Sequence, residues 1–266
     1  MIATVGESLG VGALAETFVV ERPDGCRQVL KRMHRHCAYD PVLVAMFEHE
    51  GKLLRRFDHA AIPRWVASYR DDAGVPHLLV ERVAGRALGV VLAQGPSPEA
   101  VAASWGRALF DALAYVHACP DREGVALGVV HRDVSPGNVV ARDDGTVSLV
   151  DFGIATSRWR MDPERGVLKG TRGYMAPEVI TGEGAIDGRA DVFAAGVLLY
   201  ELLTGRRLYG GTATASMMST VEAPVPSVRE HRPDVSPELD ALVQRCLAKL
   251  GPERPTAAEA RDALGT

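Results

Sequence analysis

The sequence predicts an α+β chain in two lobes, a small β-rich one in front and a larger, mostly helical one behind. Three observations predict it. The first 80 residues alternate β-branched runs with turn residues, after residue 86 apolar positions recur at helical spacing, and the front part holds a single helical period.

In chain order, "ETFVVE" is followed by "RPDG" and then by "CRQVLKRM", two strand-like runs joined by a turn. "DPVLVAMFEHEGKLLRRF" places apolar residues at 43, 46 or 47, 53, 54 and 57, the period of a helix. "HLLVERV" reads as a buried strand ending in a polar joint. Beyond "AGR" at 84 to 86, "SPEAVAASWGRALFDALAYVHA" predicts a long amphipathic helix with Ser97 as N-cap, Pro98 in the first helical position and Glu99 in the first turn. "ADVFAAGVLLYELLTG" is apolar on nearly all sides and stops at Gly205, which marks a helix at the centre of its lobe. "SPELDALVQRCLAKL" repeats the Ser-Pro-Glu start, and Thr256 and Glu259 stand at capping-box spacing. A front of strands and a back of helices imply a cleft between lobes, a common place for a ligand.

Composition narrows the function. With 266 residues, 47% hydrophobic, the chain can bury one substantial core or two lobes. A formal net charge of -4 supplies no attraction for nucleic acid, and the cluster Lys31, Arg32, Arg35 reads as a solvated turn. Cys26, Cys37, Cys119 and Cys246 lie far apart, without the spacing of a zinc site or a disulfide framework. No basic, apolar leader opens the sequence, and "FAAGVLLY" is far shorter than the roughly 18 residues a membrane span needs, so the chain is expected in the cytoplasm.

The chemistry begins at "HRDVSPGN", residues 131 to 138. A carboxylate followed five residues later by an amide can hold a hydroxyl nucleophile with Asp133 and a metal ion with Asn138. Alone, such a loop is equally an Asx turn or a cap. "LVDFGIA" adds an apolar strand that ends in Asp151, a hard-oxygen ligand suited to Mg²⁺.

"HRDVSPGN", "DFG" at 151 to 153 and "APE" at 176 to 178 come in the order and at about the spacing of the protein-kinase signatures. The chain resembles the bacterial, eukaryotic-like (Hanks-type) serine/threonine kinases over essentially its whole length, Gly10 to Arg254, and "ALGVVHRDVSP" is similar to a phrase that recurs among them. The resemblance implies the bilobal protein-kinase fold over residues 1–266: an N-lobe at 1–80, a hinge at 81–85 and a C-lobe at 86–266. It also implies ATP and Mg²⁺ as cofactors and a protein substrate, and it assigns the following roles by the phosphoryl-transfer template for these enzymes.

In "LGVGALAETFV", Gly10 and Gly12 match the first two glycines of the phosphate loop, Ala15 stands in place of the third and Thr17 in place of a valine. The Ala15 methyl costs little unless its backbone needs positive φ. Lys31 matches the lysine that contacts the α and β phosphates. Its carboxylate partner is Glu50, selected over Glu48 by counting back nine residues from His59. Val80 stands at the gatekeeper position, the Glu81 and Val83 backbone faces the purine edge, Val29 lies over the ring, and Val140 completes the nucleotide set. His131 and Arg132 brace the loop on which Asp133 handles the substrate hydroxyl, and Asn138 and Asp151 bind metal. Asp191 receives backbone N–H groups of that loop, Glu178 pairs with Arg254, and Thr171 contacts Asp133.

Ser135 departs from the family pattern, replacing a lysine that would neutralise the transferring phosphate. Losing one cation in a partly dry site costs on the order of 1 to 4 kcal/mol in barrier height, which slows transfer roughly 10- to 1000-fold. No Ser or Thr lies between 158 and 170, whereas Asp162 and Glu164 do, so one of these acids is expected to supply a permanent activating charge. The leading expectation is an active Ser/Thr kinase; "SPGN" and "GTRGYMAPE" look more like serine/threonine than tyrosine kinases. The alternatives are a pseudokinase scaffold, suggested by Ser135, Ala15 and Thr17, and a small-molecule kinase, against which "APE" and Arg254 argue.

Overall fold

The computed structural model describes residues 4–159 and 169–265, and the chain divides into two compact units. One holds the residues up to Ala84 together with Asp151–Gly153, the other Gly85–Val150 and the residues from Ile154 onward.

The first unit is an antiparallel sheet with one α-helix. Its strands are β1 (Thr4–Val11), β2 (Ala15–Glu21), β3 (Arg27–Met33), β4 (Trp65–Arg70) and β5 (Pro76–Glu81), in the spatial order β1-β2-β3-β5-β4, with α1 (Pro41–Leu54) between β3 and β4. Phe18, Val20 and Leu30 alternate inward along β2 and β3 and are buried with Leu79 of β5, the two-residue period of a half-buried sheet. The turn between β2 and β3 falls where "RPDG" places it, with Gly25 at φ +78. Asp40 caps α1 by accepting the N–H groups of Val42 (2.8 Å) and Leu43 (3.3 Å), and Pro41 needs no such partner. The helix buries Phe47, His49, Glu50, Leu53 and Leu54.

The second unit is mainly helical. It comprises β6 (Gly85–Ala87), α2 (Leu88–Leu92), α3 (Glu99–Ala118), β7 (Val139–Arg142), β8 (Val147–Leu149), α4 (Pro177–Thr181), α5 (Gly188–Thr204), α6 (Ala213–Glu222), α7 (Val228–His231), α8 (Pro237–Cys246) and α9 (Ala257–Ala263). Every residue of α5 from Ala190 to Leu203 is buried, as its all-round apolar sequence requires, and α3, α7, α8 and α9 pack around it. Gly205 ends α5 at φ +66 with its N–H on Glu201 O. Thr256 and Glu259 close the capping box of α9.

One cap differs from expectation. Pro98, not Ser97, occupies the N-cap of α3, and the Ser97 side chain makes no capping bond. The Ser97 N–H instead donates to Leu202 O (2.7 Å) and its carbonyl accepts from Arg232, so the residue belongs to the connection that crosses the end of α5. Among the described residues no helix is long and apolar enough to cross a membrane. The four cysteines are free thiols, three of them buried, and burial pushes Cys246 up to about 12.

Candidate active site

The sheet register of the first unit gathers one set of candidate residues. Thr17 pairs across from Lys31, Val29 from Val80, and Lys31 from Leu78. Side chains alternate between faces along a strand, so Thr17, Val29, Lys31 and Val80 share the face opposite to Phe18 and Leu30. Gly10 pairs with Thr17 at the end of β1, and a Cβ there would meet open space. Among the described non-glycine residues only Arg132 and Asp151 have positive φ, so Ala15 sits in ordinary backbone and its methyl is unstrained. The Glu81 N–H donates to Arg64 O (2.9 Å), and Glu81 pairs with Gln28 at the end of the β3–β5 ladder.

Lys31 is the electrostatic centre of this unit. Its Nζ lies 2.7 Å from Glu50 Oε1 and 2.7 Å from Asp151 Oδ1. The competing carboxylate, Glu48, bonds Arg70 at 2.5 Å on the other side of the helix. Lys31 and Arg32 are therefore not a solvated turn: both lie in β3, and Arg32 pairs with Glu16 (3.3 Å). Burial opposes the Lys31 charge, yet the two carboxylates hold its ammonium well above the ordinary lysine value. Glu50 is pushed up by burial, against the pull of Lys31. The same Glu50 oxygen accepts the Phe152 N–H at 3.2 Å, and Phe152 packs on Phe57 with ring centroids 5.2 Å apart. Asp151 adopts φ +66, a conformation an L-residue keeps only when its surroundings fix it, and its Oδ1 accepts the Gly153 N–H at 3.1 Å. A Cβ on Gly153 would lie 2.9 Å from that oxygen, so a larger residue there would displace the Asp151 carboxylate.

In the second unit Asp191 organises the 131–138 loop. From the first turn of α5 it accepts the N–H groups of His131 and Arg132, each at 2.8 Å, and the His117 Nε2–H at 2.8 Å. Burial works against this charge, but the donors of His117 and His131 hold the carboxyl below its usual range. Arg132 has φ +70, the strained turn that these two bonds stabilise. Asp133 is then held from both sides. Its Oδ1 accepts the Thr171 N–H (2.8 Å) and hydroxyl (2.7 Å), and its Oδ2 accepts Asn138 Nδ2 (2.7 Å). Asn138 Nδ2 also reaches Asp133 O (3.0 Å). Because the amide nitrogen is engaged with these acceptors, its oxygen is the end left for a cation. Ser135 is buried, and its carbonyl accepts the Asn138 N–H at 3.0 Å, so this position shapes the loop. Val140 lies on β7 between Ala87 and Ser148.

Glu178 and Arg254 form a two-pronged pair at 2.7 and 2.8 Å. The guanidinium also donates to the carbonyls of Ala248, Lys249 and Arg189, which leaves little of its buried charge uncompensated. Two relationships escaped sequence reasoning: His117 as a partner of Asp191, and Lys31 as a partner of Asp151 as well as Glu50. Asp162 and Glu164 lie outside the described residues.

Asp151 in the first unit and Asn138 in the second each present an oxygen of the kind Mg²⁺ takes. Among the described residues no cluster of three or more His, Cys, Asp or Glu forms a protein-only metal cage. Mg²⁺ needs none, since it takes one or two protein oxygens and completes its shell with phosphates and water.

The family described as "Protein kinase domain" matches residues 3–263. A tyrosine-protein kinase, MasK of Myxococcus xanthus, is 34% identical over 97% of this chain and 42% of its own length. The serine/threonine-protein kinase PknB of Mycolicibacterium smegmatis is 34% identical over 97% and 41%, and a probable serine/threonine-protein kinase of Streptomyces coelicolor, SCO3848, is 33% identical over 92% and 36%. The chain thus spans about two fifths of the length of these relatives. On the full-length family match and these identities, the chain belongs to the protein kinase domain family.

Proposed function

We propose that this chain transfers the γ-phosphoryl group of ATP to a serine or threonine hydroxyl of a protein. The observation that carries the reading is Lys31 Nζ at 2.7 Å from both Glu50 and Asp151, a cation fixed where a phosphate-contacting lysine needs carboxylate support.

Each residue then has a task. Gly10, Gly12, Ala15 and Thr17 cover the phosphates. Val29 and Val80 contact the adenine ring and the backbone of Glu81 and Val83 meets its edge, while Val140 is matched to the nucleotide set by family resemblance. Lys31, oriented by Glu50, contacts the α and β phosphates. Asp133, with both oxygens already oriented by Thr171 and Asn138, accepts or aligns the proton of the substrate hydroxyl. Asp151 in the first unit and Asn138 in the second each offer an oxygen of the kind Mg²⁺ takes, and the ion, when bound, would neutralise charge on the phosphate oxygens. Positioning and charge account for the catalysis, because phosphoryl transfer asks little covalent chemistry of the protein.

The test is incubation of the purified chain with γ-labelled ATP, Mg²⁺ and a panel of protein substrates, beside Asp133→Asn, followed by analysis of the labelled amino acid. Phosphoserine or phosphothreonine that vanishes in Asp133→Asn is expected. Label in tyrosine supports a second reading, transfer to protein tyrosine, which the name of the Myxococcus relative favours. Absence of any transfer refutes both.

A further inference from the structure

The segment between β3 and α1 is tied to the tip of the glycine-rich turn by three successive carbonyls. His34 Nε2 meets Gly12 O at 2.8 Å, Cys37 Sγ lies 3.9 Å from Ala13 O, and the His34 N–H donates to Leu14 O at 2.9 Å. A carbonyl oxygen only accepts, so His34 Nε2 carries the proton in the first of these bonds. The ring is steadied from its other side by His36, stacked at 5.4 Å with 9° between planes.

The geometry of the peptide unit gives this tether a consequence. In a planar trans peptide the C=O of one residue and the N–H of the next point in opposite directions. Drawing the carbonyls of Gly12, Ala13 and Leu14 toward the 34–37 segment turns the N–H groups of Ala13, Leu14 and Ala15 away from it. Successive backbone N–H groups facing one way form a concave anion site. The Gly12 N–H is committed elsewhere, to Ala15 O at 2.9 Å, so the following three amides are the donors this turn can offer.

We propose that His34 is a positioning residue for phosphate binding: by donating to Gly12 O it holds the turn so that the Ala13–Ala15 amides face the nucleotide phosphates. This rests on the reading of the turn as the phosphate loop. It also explains how a loop with Ala15 in place of its third glycine keeps its shape, since an anchor outside the loop fixes the backbone.

The experiment compares wild type with His34→Ala and His34→Gln, whose amide places a donor at a similar reach. Three quantities are measured: kcat and KM for MgATP with one protein substrate, amide hydrogen exchange of residues 10–16 without nucleotide, and the urea midpoint as a check on folding. His34→Ala is expected to raise KM for MgATP roughly 3- to 10-fold, the worth of one hydrogen bond, with kcat within about twofold. Its loop amides exchange faster, and His34→Gln recovers most of both effects. Unchanged KM and exchange in His34→Ala, or a Gln variant as impaired as the Ala variant, overturns the proposal while leaving the kinase reading intact. If wild type turns over no ATP, the kinase reading fails, and the phosphate role of His34 falls with it whatever the exchange rates show.

Discussion

A carboxylate that is 1% exposed survives in a fold only when its donors outweigh the loss of water, and Asp191 has three within hydrogen-bond distance. Asp191→Asn keeps the shape but offers one acceptor oxygen where the carboxylate had two, so an N–H donor is left facing an amide NH₂, and at neutral pH the change is expected to cost about 2 kcal/mol of folding stability. The pH dependence has a definite sign. The folded-state value of Asp191 lies below its unfolded one, so its contribution is fully present above the ordinary carboxylate range and is lost as pH falls through the lowered folded value. Urea midpoints measured from neutral to acid pH should show the gap between wild type and Asp191→Asn closing in that acid window; a pH-independent gap contradicts the assignment. At this scale the sequence was most legible where a short motif names its residue: Asp133, Asn138, Asp151, Glu178 and Thr171. His117 was illegible, because it stands 74 residues from Asp191 at the end of an amphipathic helix where a polar side chain is unremarkable. Only the packing of α3 beside α5 turns it toward the carboxylate.

At the level of elements, three helices follow an Asp-Pro or Ser-Pro start and use it in three ways. Asp40 caps α1 with two bonds, Ser236 stands at the N-cap of α8 but gives its hydroxyl to Glu99 Oε1 (2.6 Å), and Ser97 falls outside the helix altogether. The motif therefore fixes where a helix begins to within a residue, while tertiary hydrogen bonds decide what the hydroxyl does. Asp40→Ala should lower stability by about 1 kcal/mol, and Asp40→Ser should restore most of it, in urea unfolding. Gly205→Ala should cost about 1 to 3 kcal/mol, because φ is +66 and the new Cβ would lie 2.8 Å from Pro96 Cδ. A Gly205→Ala midpoint equal to wild type would show that the connection after α5 yields freely. Two strands of the first unit went unread for a related reason. β1 contains glycines and reads as loop, and β4, "WVASYR", has no fully buried residue to mark an inward face, so its pairing with β5 rather than its own pattern makes it a strand.

At the scale of the molecule, the proposed kinase activity is predicted to need no modification from outside. Within the described part of 151–178 the hydroxyls are largely engaged. Thr171 donates to Asp133, Tyr174 donates to Glu201 at 2.6 Å, and the Ser157 hydroxyl is buried and accepts the Trp159 N–H at 3.1 Å. Phosphorylating Thr171 would place a dianion against the Asp133 carboxylate, and phosphorylating Tyr174 would place one against Glu201; like charges at hydrogen-bond distance in a partly buried site repel strongly. A modified segment would have to break what holds Asp133. The acids Asp162 and Glu164 supply negative charge in the same stretch without any modification. Protein stripped by a phosphatase and verified by mass spectrometry should therefore phosphorylate its substrate within about twofold of the untreated rate, whereas neutralising both acids, Asp162→Asn with Glu164→Gln, should lower kcat roughly 10-fold, about 1.4 kcal/mol. A stoichiometric phosphosite whose removal abolishes transfer would place the switch outside the chain and make the two acids incidental.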